Sequence, residues 1–401
     1  MNKLLPSLLV ILTFAACTSD SGQSSAPVVR DSAGVRIVEN TTPLWQPGQA
    51  WHLSAKPVVD IGAQSDPLYE LFRVNGAVRL ATGEIVIANA GSSELRFYDA
   101  TGNYLHASGG EGEGPGEFLL LRSLYRLGGD SLLVRDPLAG RLSLFDAEGA
   151  FVRVIRLTPT DGAPMPTLSG VFDDGSFLIH GMTLEAAEIG FVRPDEVLFH
   201  YATDGTVLHR LGVFPGNETY LFVDVQGNRG INRAHFQRGT GFLVTRNRFV
   251  VASNDSYELA VYDMDGDLEM LVRKSQPVVL IGDAEVRALR EYYLSQTAEA
   301  DARRSLLQWF DAMPVAPYMP AYATVRGDVL GNLWVADYDP LVVRAPRWSV
   351  FNGEGVWLGV VTTPEGFQPL DIGPDYVLGL WRDADDVERV RMYDLVKPES
   401  D

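Results

Sequence analysis

Along most of this chain apolar and polar positions alternate with a period of two, the pattern of half-buried strands. A short phrase recurs through it: "RFYDATGNYL" at 96–105, "SLFDAEGAFV" at 143–152, "FHYATDGTVL" at 199–208, "AVYDMDGDLE" at 260–269 and "SVFNGEGVWL" at 349–358, with a degenerate "RMYDLVKPES" closing the chain. In each, β-formers flank Asp, Asn or a small polar residue and usually a glycine, which is the make-up of a tight hairpin turn. Upstream of each lies another hairpin pattern, as in "RLATGEIVIAN" at 79–89, "VFDDGSFLIHG" at 171–181 and "DIGPDYVLGLW" at 371–381. Two hairpins per unit give four strands. The predicted fold is therefore all-β: a six-bladed β-propeller of four-stranded blades occupying 33–398. One blade cannot bury both of its faces, so the blades must fold as an array.

Two places depart from the repeat. The last unit has only three C-terminal strands (368–396), and "VVDIG" at 58–62 falls where its fourth belongs. An N-terminal strand is thus predicted to complete the last blade and remove an open edge. The leading "GVRIVEN" and "WHLS" are expected to cover the same seam. Residues 283–312 are strand-poor, and Val286, Leu289, Tyr293, Leu306, Leu307 and Phe310 recur at helical spacing after a possible N-cap, Asp283. This predicts a short helical insertion between blades four and five, of a length that often carries function.

The stretch "GGEGEGPGEF" at 109–118 invites a phosphate-cradle reading, but no register gives G-x-G-x-x-G and no lysine follows. Its glutamates would repel a phosphate. It reads as the crossing from one blade's rim to the next blade's first strand, with Phe118 wedged between blades.

The first 16 residues carry a basic residue, an apolar core and a small-residue cleavage site, the marks of a signal peptide. Cleavage before Cys17 resembles the bacterial lipobox, with Phe14 as a departure at the usual leucine position. Cys17 is the only cysteine of the 401 residues, so it is the expected lipidation site and no disulfide is available. Residues 17–32 are polar and Ser-rich and read as a flexible tether. By resemblance to lipoprotein sorting in double-membraned bacteria, Thr18 in place of Asp implies sorting to the outer membrane, facing the periplasm. The formal charge of −19 argues against nucleic acid as a partner and leaves the lipid as the sole membrane attachment.

The phrases "DSAGVRIVEN", "ELFRVNGAVRLATGEIVIANAGSSELRFYD", "GGEGEGPGEF" and "DIGPDYVLGLW" make the chain similar to bacterial lipid-anchored six-bladed β-propellers of the NHL-repeat-like superfamily. The resemblance spans about 31–398 and implies the fold, with no chemistry common to the group. Among propellers, ligands bind where first strands begin and second strands end. The candidates on that face are Arg73, Arg122, Arg238 and Tyr322 at first strands, and Asn89, Asp136, His180, Asn254, Asp337 and Arg382 at second strands. Arg73 and Arg122 are expected to approach one pocket and suit a small acidic ligand.

The six histidines show no metal spacing, and no G-x-S-x-G elbow anchors a serine nucleophile. Asp263, Asp265 and Asp267 alternate like a calcium loop, but Gly266 comes too early for one. No cofactor and no metal are expected. The reading is a monomeric, non-catalytic propeller that binds a small acidic ligand or an envelope protein. The alternative is a calcium-dependent hydrolase resembling lactonase propellers.

Overall fold

The computed structural model describes residues 26–182, 189–223, 229–233, 235–313, 315–341 and 345–398. The signal segment and Cys17 lie outside the described residues. Strands dominate and form separate sheets, with two α-helices among the described residues.

Six of the sheets open with a leading strand: Val74–Arg79, Ser123–Arg126, Thr167–Val171, Thr240–Thr245, Val325–Gly327 and Phe367–Ile372. Each continues as an antiparallel up-and-down run. The recurring phrase has a physical cause at the hairpin between third and fourth strands. There the side chains of Asp99, Asp146, Asp263 and Asn352 accept backbone N–H groups from residues two to four further on. Gly102, Gly149, Gly266 and Gly355 follow at φ between 78° and 93°, a region costly for any residue with a Cβ. The alternate aspartates near 263 thus build a turn.

Neighbouring sheets meet at every step along the chain. The Arg126 guanidinium donates to the Arg79 carbonyl, and the Tyr125 hydroxyl donates to the Leu168 carbonyl at 3.4 Å. The strand Thr240–Thr245 lies against both Thr167–Val171 and Val325–Gly327. Val329 N donates to the Ile372 carbonyl at 3.1 Å. Between the last sheet and the first, Asp371 accepts from Arg79 N at 2.9 Å and Glu388 from Val74 N at 2.7 Å. Two glycines permit close approaches between sheets: a Cβ on Gly76 would lie 2.9 Å from the Leu124 Cβ, and one on Gly170 would lie 2.7 Å from a Val244 methyl.

Apolar residues fill the spaces between sheets. Phe118 is fully buried among Val86, Ala88, Leu132 and Phe145, between the first sheet and the second. The connector before it is held by the Arg141 guanidinium, which donates to the carbonyls of Glu113, Gly114 and Glu117 at 2.7–3.0 Å. The glycine-rich stretch is a crossing whose carbonyls satisfy a cation. It holds no phosphate-binding geometry.

The last sheet contains Phe367–Ile372, Tyr376–Arg382 and Glu388–Val396, and both His52–Leu53 and Val59–Ile61 pair antiparallel with Glu388–Val396. The N-terminal segment does complete it. "GVRIVEN" does not cover that seam, however. Val35–Asn40 pairs in parallel with Leu268–Lys274 on the rim of the fourth sheet, where Val38 is fully buried. The chain then runs along the fifth sheet, with Leu44 N and Trp45 N donating to the Trp357 and Leu358 carbonyls, before reaching the sixth. Asn40 anchors this belt: its amide donates to the Arg273 and Gly355 carbonyls at 3.0 Å, and its oxygen accepts from Trp357 N at 2.8 Å. The belt covers three rims in succession, which a sheet-by-sheet reading of the repeat misses.

Two further corrections concern the strand count. Val28–Ser32, assigned to the tether, is an exposed edge strand paired with Val35–Asn40. The fourth sheet therefore holds six strands, not four. A separate three-stranded sheet, Gly190–Val192, Thr219–Val223 and Arg229–Arg233, stands outside the repeat. The insertion forms α1 (Asp283–Ser295) and α2 (Ala300–Ala312), between the fourth sheet and the fifth. Leu289 and Phe310 pack the helices on Phe236 in a small apolar cluster of their own.

Candidate functional site

A cavity of about 1160 Å³ is walled by leading strands of the second to sixth sheets, which contribute Arg126, Ser169, Phe242, Arg326 and Leu370. It is also bordered by Leu289 and Tyr293 of α1 and by Tyr338, which places the insertion against it.

Several of the sequence candidates serve the backbone. Asn89 accepts from Phe72 N at 2.8 Å, Asp136 from Leu119 N and Leu120 N at 2.8 and 3.2 Å, and Asn254 from Gly239 N at 2.8 Å. All three are buried, and each fixes the segment entering its sheet's leading strand. A buried, saturated side chain has little capacity left for a ligand. Arg238 is paired with the buried Glu218, its Nε at 2.8 Å from the carboxylate, and lies 3.6 Å from Asp255. Arg382 donates to Glu388 at 2.6 Å, and exposed Asp337 lies 3.7 Å from Arg347. Of the ten candidates, only Asn254 and Tyr322 border the cavity. The Tyr322 hydroxyl is buried without a hydrogen-bond partner among the described residues.

Arg73 and Arg122 do not meet in the cavity. Both are exposed, and the Arg73 guanidinium sits 5.0 Å from the Phe72 ring centroid. Their place is taken by two arginines deeper on the leading strands. Arg326 is half-buried on the cavity wall; its Nε has no partner and it makes no ion pair among the described residues. Burial holds its pKa below the ordinary arginine value. Arg126 also borders the cavity and makes no ion pair there, and its nearby acid, Asp371, is itself driven towards the neutral form by burial. Sequence reading missed these arginines because it took Arg122 and Tyr322 to open the leading strands, and Arg126 and Arg326 each lie four positions further on.

A third group occupies one wall. Ser169 Oγ lies 2.6 Å from His180 Nδ1, and His180 Nε2 lies 3.6 Å from Glu196 Oε2. Ser169 and Glu196 both border the cavity. Desolvation pushes the Glu196 carboxyl up to about 7 and holds the His180 ring down to about 4, with the Arg135 charge adding to the second shift. His180 was among the sequence candidates; its partners come from other strands, and no local motif joins them.

No family model and no curated protein matches the chain. It is similar to several solved structures. A member of the DUF4221 family from Bacteroides vulgatus shares 11% identity over 88% of this chain and 99% of that one, with a TM-score of 0.48. Virginiamycin B lyase from Staphylococcus aureus shares 8% over 80% and 94%, at 0.40. The calcium-binding protein regucalcin from Agrobacterium tumefaciens shares 14% over 87% and 96%, at 0.39. Likenesses this distant assign no activity. What fold and site define is a strand-rich protein with a cavity of mixed polar and apolar lining between its sheets. Among the described residues no helix is long and apolar enough to cross a membrane.

Proposed function

We propose that this chain is a closed six-bladed propeller of the cell envelope that binds a small anionic ligand in its cavity. The contacts linking each sheet to the next, including those from Asp371 and Glu388 back to the first sheet, support the closed ring. One observation carries the ligand class. Arg126 and Arg326 face a common cavity without an ion pair among the described residues, in a chain of formal charge −19. Desolvated arginine is costly unless its donors are met, and a carboxylate or phosphate oxygen meets them best. The acidic exterior slows entry of anions, so affinity must come from contacts inside the cavity. The same arginines disfavour a divalent cation there, which weighs against the calcium-dependent hydrolase. Equilibrium titration with citrate and with inorganic phosphate tests this reading. Wild type should bind one of them with an affinity that falls when Arg126 and Arg326 are both changed to methionine. Equal binding by the double variant would refute it.

The address rests on the sequence alone: cleavage before Cys17, lipidation and outer-membrane sorting through Thr18. Metabolic labelling with a tagged fatty acid should mark the wild type and not Cys17→Ser.

A further inference from the structure

The third sheet carries an arrangement that ligand binding does not need. We propose that Ser169, His180 and Glu196 form a nucleophile–base relay on the cavity wall that transfers the acyl group of an ester to water. It rests on the anion-binding reading only for its choice of an anionic ester.

The placement follows from the strands. Thr167–Val171 pairs with Phe177–Met182, and the register slips between Leu168 and Gly170, leaving Ser169 as the extra residue of a bulge. Bulges re-aim a side chain, and this one puts the Ser169 hydroxyl on the cavity wall within 2.6 Å of the His180 ring. The third strand, Asp195–Tyr201, brings Glu196 to the ring's other nitrogen. Glu196 Oε2 is buried and has no hydrogen-bond partner among the described residues; the imidazole Nε2, 3.6 Å away, is the donor it faces. The Phe242 ring, 5.7 Å from the imidazole, shields it from the fourth sheet, and that strand's Phe242 brings no charge of its own. From the second sheet Arg135 donates to Thr167 Oγ1 at 3.3 Å, makes no ion pair among the described residues and lies close enough to depress the histidine.

With His180 neutral, Nδ1 accepts the Ser169 proton while Oγ attacks the ester carbon. The tetrahedral adduct collapses, the carbon–oxygen ester bond breaks, and the leaving alkoxide takes that proton from His180. Water then attacks the acyl-serine and gives a proton to Nδ1, which returns it to the departing Ser169 oxygen. One water is consumed and one carboxylic acid and one alcohol are formed, without another reactant. Ser169 and His180 are the catalytic residues. Glu196 is a positioning residue: ionised, it fixes the tautomer and stabilises the imidazolium. Its raised pKa places the onset of activity near pH 7.

The full mature chain is treated with a fluorophosphonate probe and mapped by mass spectrometry, then assayed with p-nitrophenyl acetate and with anionic mono-p-nitrophenyl succinate. The expected result is label on Ser169, and hydrolysis that rises through pH 7 and falls at least about 100-fold in Ser169→Ala and His180→Asn. Glu196→Gln should lose the rise near pH 7, a change that a merely structural role would not cause. Near-ultraviolet circular dichroism checks each variant's packing, and labelling of the wild type needs no variant at all. An unlabelled Ser169, or hydrolysis unchanged in Ser169→Ala, overturns the relay even where citrate or phosphate still binds. Equal turnover of both esters would leave the relay standing and remove the anion preference.

Discussion

Replacing Arg326 by methionine should make the protein more stable and less able to bind an anion. The guanidinium stands on the cavity wall with Nε unpartnered and no ion pair among the described residues. Exchanging buried ionic groups for apolar ones of similar volume is often stabilising, by about 1–4 kcal/mol. Arg326 keeps some contact with solvent through the cavity, so the lower part of that range, about 1–2 kcal/mol, is expected. For a chain of this size that corresponds to a melting-temperature rise of roughly 1–3 °C. Hydrogen bonds to a charged group contribute about 1.5–3 kcal/mol, so the same change should weaken anion binding roughly 10- to 150-fold. Differential scanning calorimetry and titration with citrate measure the two halves on one preparation. Arg73→Met is the control: that side chain is exposed, outside the cavity, and should move neither quantity appreciably. An Arg326→Met protein that melts below wild type would show the guanidinium to be satisfied within the fold. Unaltered citrate affinity would show that it does not meet the ligand.

Phe118→Ala removes a fully buried ring from between two sheets and should cost about 3–5 kcal/mol in denaturant unfolding. Asn40→Ala strips three hydrogen bonds from the belt and should cost on the order of 3 kcal/mol, with early proteolysis near 30–58 as its signature. The Glu196–His180 pair fixes a pH dependence. The raised Glu196 pKa favours folding below about 4.5 and loses that contribution as pH rises through about 7; the lowered His180 pKa favours folding above about 6.5 and loses it as pH falls through about 4. Between those limits the two oppose each other, so wild-type stability should drop mainly from pH 6.5 to 8, and Glu196→Gln should stay level there.

Much of the fold was legible because its causes are local. An Asp or Asn followed three residues later by Gly makes a hairpin wherever it occurs, as at Asp99 and Asp263, and alternation between such turns makes strands. The last sheet's missing strand could be counted, and "VVDIG" supplied it as Val59–Ile61. The helical spacing of 283–312 likewise belongs to the segment itself. Polar residues at the ends of second strands were equally visible, but their purpose was not: Asn89, Asp136 and Asn254 hold backbone N–H groups of segments that come before them in the chain. Tertiary structure alone decided the belt, since a parallel pairing of Val35–Asn40 with Leu268–Lys274 has no sequence signal across such a separation. It alone decided the cavity too. Arg126 and Arg326 are 200 residues apart and look like ordinary strand positions until the sheets turn them to one space. Ser169, His180 and Glu196 meet because three strands of one sheet pair in a particular register with one bulge, and register is set by packing on the neighbouring sheets, not by the three residues themselves.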